Sequence, residues 1–303
     1  MKTLRQLSFV TAGFAYAVIV LGYVVRITGS GMGCGDDWPL CNGKIIPSLD
    51  SLETVIEYAH RLAVLGLTAL TVWVAVSAWR LKGAPGGSGR GGTLRPALLA
   101  LGLLLLQSML GAITVWLELP PHTVVLHLGT GMALLAALVV LGLRAGINAG
   151  TTGRPPGVTR GRGGIVAAAA LGAVVVLLGG MTATMGAAPA CQGFPLCNGE
   201  IWPSSSAGGL AHIHWTHRLL AYALFFHVLG LGLGLRRKGA PERLQAAGWA
   251  AAALVVLQVI VGAVMVLTHL PPVWRWLHAA IGTAVWVGLV YMTWLAAGRG
   301  VEE

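Results

Sequence analysis

Eight apolar runs constrain this chain more than any other feature. They lie at roughly 7–27, 55–79, 94–117, 123–144, 165–185, 211–235, 246–268 and 273–297. Each is close to the ~20 residues needed to cross the hydrocarbon core of a bilayer. Hydrophobic residues fill 56% of the 303 positions and charged residues 10%, a balance that excludes a soluble globule. Lipid offers no partner to a bare peptide group, so a spanning run of this length must bond its own backbone as a helix. The chain is therefore predicted to be an all-α membrane protein with eight transmembrane helices.

The formal net charge of +10 would suit nucleic acid, but its distribution argues for a membrane topology instead. Fifteen of the twenty Lys and Arg fall at the two ends or in alternate loops. They are Lys2 and Arg5; Arg80, Lys82, Arg90 and Arg95; Arg144, Arg154, Arg160 and Arg162; Arg236, Arg237, Lys238 and Arg243; and Arg299. Positive charge is retained on the cytoplasmic side. A multi-pass protein of the cell (inner) membrane is expected, with both termini and these loops cytoplasmic, and no nucleic-acid partner. The intervening loops carry Asp36, Asp37, Asp50, Glu53, Glu118 and Glu200 together with all four cysteines, and are expected to be extracytoplasmic. The first run, after Lys2 and Arg5, resembles a signal peptide. Its internal counterpart at 165–185 must span, so the first run is expected to remain as a helix.

A duplication supplies the rest of the architecture. WPLCNGKIIP at 38–47 and FPLCNGEIWP at 194–203 agree at seven of ten positions. QSMLGAITV (107–115) returns as QVIVGAVMV (258–266), and LPPHTVVLH (119–127) as LPPVWRWLH (270–278). Internal repetition on this scale means repeated structure. Two pseudo-symmetric four-helix bundles are expected, over 1–144 and 165–303, because helices joined by turns as short as LPP must be antiparallel neighbours. Between them, 145–164 is a Gly- and Arg-rich stretch without apolar periodicity and is predicted to be a cytoplasmic linker. A similar loop at 83–92 joins the second and third helices.

Each half holds one cysteine pair in a short Gly- and Pro-rich loop, Cys34/Cys41 and Cys191/Cys197. On the oxidising side of the membrane two local disulfides are expected. A four-thiolate zinc site is the rival, although neither pair has the tight C-x₂₋₄-C spacing usual for one. Either a loop staple or a redox-active pair would answer to this placement.

Four of the nine histidines align as two repeated pairs. His60 matches His217, each followed by Arg (Arg61, Arg218), and His127 matches His278, each preceded by Leu. All lie near the same end of their helices, where a polar side chain in hydrocarbon needs a partner or a task. Two imidazoles facing each other from separate helices are what a six-coordinate haem iron takes from a protein. Singly, each could be a hydrogen-bonded core residue; as a duplicated set, iron ligation explains them better than copper or zinc. No CxxCH is present for covalent haem attachment. Arg61 and Arg218 are placed either to reach a haem propionate or to snorkel to the interface.

The halves differ one turn earlier, where Glu57 in the first is His214 in the second. Glu57 shares a helical face with His60 and is a candidate for proton transfer or cation stabilisation; an ordinary first-turn acid is the plainer alternative. His122 rivals His127 as a ligand, but the repeat aligns it with Val273. His212, His214 and His269 are expected to be interfacial, and His227 has no assigned role.

Taken together, EYAHR at 57–61, HWTHR at 214–218, the LH at 126–127 and 277–278, and the paired-cysteine loops resemble the haem A synthase family over nearly the whole chain. The resemblance implies an enzyme that oxidises a methyl group of haem O to the formyl group of haem A, with the new oxygen taken from water. It implies a haem b cofactor on His217 and His278, haem O between His60 and His127, and Glu57 as the catalytic glutamate. The Gly-rich inner loops could host a partner such as haem O synthase, and the oxidation calls for an electron acceptor that the sequence does not name. Two other classes stay open: a dihaem b electron-transfer cytochrome, and a haem carrier or insertion factor that performs no chemistry.

Overall fold

The computed structural model describes residues 1–89, 91–151, 153, 158 and 161–298. It contains eight long helices: α1 (Lys2–Ile27), α2 (Leu52–Arg80), α3 (Leu94–Trp116), α4 (Pro121–Asn148), α5 (Arg162–Thr184), α6 (Gly208–Arg237), α7 (Glu242–Leu267) and α8 (Pro272–Ala296). All eight are long and apolar enough to cross a membrane, and the described residues form no β-strand. The shortest have 23 residues, about 35 Å at 1.5 Å per residue, which exceeds the ~30 Å hydrocarbon core. Helices overrun the apolar stretches at basic C-terminal ends: α2 ends at Arg80 and α6 at Arg237. Cations suit a helix C-terminus and continue a helix well. Arg90, Arg154, Arg160 and Arg299, part of the charge asymmetry, lie outside the described residues, as does most of 152–160.

The chain divides into unit 1, Met1–Gly153, and unit 2, Arg154–Glu303. Within unit 1, α1 packs against α2 and α4, and α3 packs against the same two helices. Within unit 2, α5 and α7 each pack against α6 and α8. Helix α4 continues to Asn148, four residues into the stretch expected to be linker. Its terminal Asn148 donates to the carbonyl of Gly86 at 2.8 Å, tying α4 to the α2–α3 loop.

Local sequence explains the helix boundaries nearest the histidines. Ser51 caps α2 by accepting from the Thr54 N–H at 3.1 Å, and Glu53 stands in the first turn, where the dipole favours it. Helices α3 and α7 end alike. Leu119 N–H donates to the Thr114 carbonyl and Glu118 N–H to Val115; Leu270 and His269 repeat the pair with Met265 and Val266. This is the Schellman closure, with Glu118 and His269 in its left-handed position at φ 60° and 61°. Pro121 and Pro272 then start α4 and α8, where a missing N–H is harmless.

Apolar packing concentrates at the other end of the helices. In unit 1 it gathers Leu4, Val74, Ala78, Ala97, Leu141 and Ala145. In unit 2 it runs from Ile165, Leu235 and Leu244 to Leu224, Val255 and Leu289. The cysteine loops and the four aligned histidines lie toward the opposite ends.

Candidate functional site

The two cysteine loops are built alike. Cys34–Cys41 and Cys191–Cys197 are disulfides with Cα atoms 4.4 and 4.8 Å apart, which sets the zinc alternative aside. Asn42-Gly43 and Asn198-Gly199 adopt positive φ at both positions, the type I′ combination Asn-Gly favours. Each turn is closed by a reciprocal backbone pair, Cys41 with Lys44 and Cys197 with Glu200.

One arginine holds each loop to its helix. Arg61 Nη1 donates to the carbonyls of Asp37, at 2.7 Å, and Leu40. Arg218 Nη1 donates to Gly193 and Leu196 at 2.9 and 2.8 Å, and its Nη2 to Cys191. The remaining bonds reach the residue one turn earlier, where the halves differ. Arg61 Nη2 and Nε donate to Glu57 Oε1 at 2.6 and 3.2 Å, and the Cys34 N–H donates to Glu57 Oε2 at 2.8 Å. In unit 2, Arg218 Nε donates to His214 Nε2 at 3.2 Å. Both guanidiniums thus have four of their five N–H donors engaged. Arg218 is only 6% exposed, so it does not snorkel. Glu57 is 4% exposed; the first-turn acid of α2 is Glu53 instead. His214, expected at the interface, is buried at 4% exposure because it takes the place of Glu57 beneath the arginine.

The four aligned histidines face glycines on neighbouring helices. A Cβ on Gly22 of α1 would lie 3.4 Å from His60 Cε1, and one on Gly111 of α3 would lie 3.1 Å from His127 Cε1. In unit 2 the corresponding contacts are Gly179 to His217 at 2.9 Å and Gly262 to His278 at 3.1 Å. Each imidazole edge occupies space that a methyl group would fill. The rings of His217 and His278 have centroids 6.5 Å apart with planes at 76°. Two imidazoles on opposite sides of one metal require about 6.2 Å, from two metal–nitrogen bonds of about 2.0 Å and two ring radii of about 1.1 Å. The pair therefore fits axial ligation of a haem iron. In unit 1, His60 and His127 lie within electrostatic reach of each other, and His60 Nδ1 is buried without a hydrogen-bond partner. His127 Nδ1 donates to the Gln107 carbonyl at 3.1 Å. That bond leaves the lone pair on Nε2, the form a metal ligand needs.

The other histidines are otherwise engaged. His122 is exposed at the start of α4, which removes it as a rival to His127. His212 Nδ1 meets the Gly208 carbonyl at 2.9 Å, and His227 Nε2 meets that of Gly164 at 2.8 Å, pinning α6 to the start of α5. His269 ends α7. Among the described residues no three His, Cys, Asp or Glu side chains cluster to hold a metal ion, so copper or zinc has no further ligands here.

Sequence reasoning missed the glycine at each histidine and the glutamines Gln107 and Gln258, both within hydrogen-bond range of a ring. Their signal was present in the repeated Q-x₃-G of QSMLG and QVIVG.

The sequence matches the family described as cytochrome oxidase assembly protein over residues 5–290. A haem A synthase of Exiguobacterium sp. is 32% identical over 292 residues, covering 95% of this chain and 91% of that protein. A haem A synthase of Alkalihalophilus pseudofirmus is also 32% identical, over 96% of this chain and 97% of that protein. A Thermus thermophilus protein named protohaem IX farnesyltransferase is 29% identical over 96% of this chain, which spans 49% of its length. By the family match across nearly its whole length and by these full-length relatives, the chain belongs to the haem A synthase family.

Proposed function

We propose that this chain oxidises the methyl group of haem O to the formyl group of haem A in the membrane, with haem b as cofactor in unit 2. The observation that supports it most is the 6.5 Å pairing of His217 and His278, repeated in sequence by His60 and His127 with a carboxylate beside them. The conversion balances as R–CH₃ + H₂O → R–CHO + 4 H⁺ + 4 e⁻, where R is the porphyrin. His60 and His127 hold the substrate through its iron. When bound, haem b supplies a one-electron relay toward an external acceptor. Three N–H donors from Arg61 and Cys34 converge on Glu57, so it serves as a fixed negative charge toward the carbon being oxidised rather than as a swinging proton carrier. The one uncommitted Nη2 hydrogen on each of Arg61 and Arg218 is the donor available to a propionate.

The cysteine loops face the extracytoplasmic side, and the termini the cytoplasm, as the positive charge favours. A haem O synthase is the natural partner. Support comes from the Thermus relative, whose name records farnesyl transfer to protohaem and whose length is about twice the stretch matched here.

Co-expression with a source of haem O, followed by pigment extraction from purified protein, tests the proposal. Wild type should contain haem A and haem b, Glu57→Gln haem b without haem A, and His217→Ala or His278→Ala no haem b. Wild-type haem A levels in Glu57→Gln would overturn the role of the carboxylate. Two permanent equivalents of haem b, or haem O bound but unconverted, would identify an electron-transfer cytochrome or a carrier.

A further inference from the structure

Gln107 and Gln258 occupy equivalent positions on α3 and α7 but address their histidines differently. In unit 1, Gln107 contacts His127 twice. Its main-chain carbonyl accepts from Nδ1 at 3.1 Å, and its side-chain Nε2 lies 3.1 Å from His127 Nε2. Since Nδ1 carries the proton, Nε2 offers a lone pair, and the amide N–H donates to it. The opposite amide orientation would set two lone pairs against each other, so the network itself decides the assignment. The atom that would bind iron is therefore capped by the protein.

In unit 2, Gln258 Nε2 lies 3.2 Å from both ring nitrogens of His278, so it is aimed along neither lone pair. Its directed bond goes to the His278 main-chain carbonyl at 3.0 Å. Each amide sits in a slot left by a glycine one turn after the histidine. A Cβ on Gly131 or Gly282 would lie 3.2 Å from Gln107 or Gln258 Nε2. Both Oε1 atoms are buried without a partner, an arrangement folding selects against unless it has a use.

We propose that Gln107 is a positioning residue for substrate exchange, its amide competing with iron for the Nε2 of His127 during product release. The proposal rests on the reading of unit 1 as the haem O site. A substrate site must release its haem in every cycle, whereas a cofactor site need not. As product leaves, the iron–Nε2 bond breaks and an N–H···N bond forms in its place, with no change in proton or electron count. Gln258, which bonds a carbonyl and lies equally far from both ring nitrogens, caps neither nitrogen of His278 singly in unit 2.

The test uses full-length protein loaded with haem O, without an electron acceptor, and follows haem transfer to excess apomyoglobin by absorbance. Gln107→Leu removes the donor, and Gln107→Asn withdraws it by one methylene. Retained haem b absorption in unit 2 reports that each variant has folded. Release should slow about five- to tenfold in both, the worth of one net hydrogen bond, and stay unchanged in Gln258→Leu. Unchanged or faster release in the two Gln107 variants overturns the proposal. His127→Ala separates this from the functional reading: if haem O loading persists without His127, the ligand assignment fails, and the exchange role with it.

Discussion

At the scale of single residues, space beside each imidazole decides as much as the imidazole does. A methyl group on Gly179 would lie 2.9 Å from His217 Cε1, inside van der Waals contact, whereas one on Gly22 would meet His60 at 3.4 Å, an ordinary contact. Alanine in a helix interior is favoured over glycine by about 1 kcal/mol, so both substitutions should leave the helices intact. Overpacking adds a penalty of about 1–3 kcal/mol, and at Gly179 it falls on the His217 ring, the haem b ligand of the proposal. Gly179→Ala should therefore lower haem b retention in purified protein by about tenfold or more, while Gly22→Ala stays close to wild type. Equal haem content in the two variants would contradict the cradle. Glu57 and His214 make the same point through hydrogen bonding. They align in the repeat, and both lie beneath an arginine that staples a disulfide loop, yet one is an anion and the other an imidazole.

At the scale of elements, the ends of α3 and α7 fix the height at which α4 and α8 begin, and hence the depth of His127 and His278. Both turns place a side chain where glycine is preferred, Glu118 at φ 60° and His269 at φ 61°. The left-handed conformation costs a non-glycine residue about 1 kcal/mol. Glu118→Gly and His269→Gly should each stabilise the detergent-solubilised protein by up to about 1 kcal/mol, offset in part by the greater freedom of glycine in the unfolded chain. Thermal unfolding measures this, and a fall in the midpoint would show that the side chains hold contacts beyond the cap. Helix existence was legible from eight apolar runs, because hydrocarbon enforces internal backbone bonding. Helix ends were not. Basic residues read as loop became the last turns of α2 and α6, since nothing about Arg or Lys forbids a helix.

At the scale of the whole molecule, the placement of charge should set orientation. A green fluorescent fusion at the C-terminus should fluoresce, and alkaline phosphatase fused after Glu200 should be active, because the loops rich in Lys and Arg resist translocation. The reverse pattern would invert the topology and put the disulfides in a reducing compartment. The same scale shows how unequal the duplicated halves have become. In unit 2 the amide of Gln258 bonds a main-chain carbonyl and His214 stands beneath the arginine. In unit 1 a carboxylate takes that place and the Gln107 amide lies on the His127 ring.

What the amino-acid order determined by itself is whatever repeats or runs long: eight spans, the disulfide loops, the four histidines and the single Glu-for-His exchange between halves. These follow from solvent and from alignment, which act along the chain. Only the folded structure decided which glycine opens room for each ring, that both arginines turn to the loops rather than the interface, that His214 is buried, and that a glutamine amide lies on one ring nitrogen of His127. Those are contacts of one helix with another helix or with a loop, set by rotation and depth, and no periodicity along a single helix encodes them.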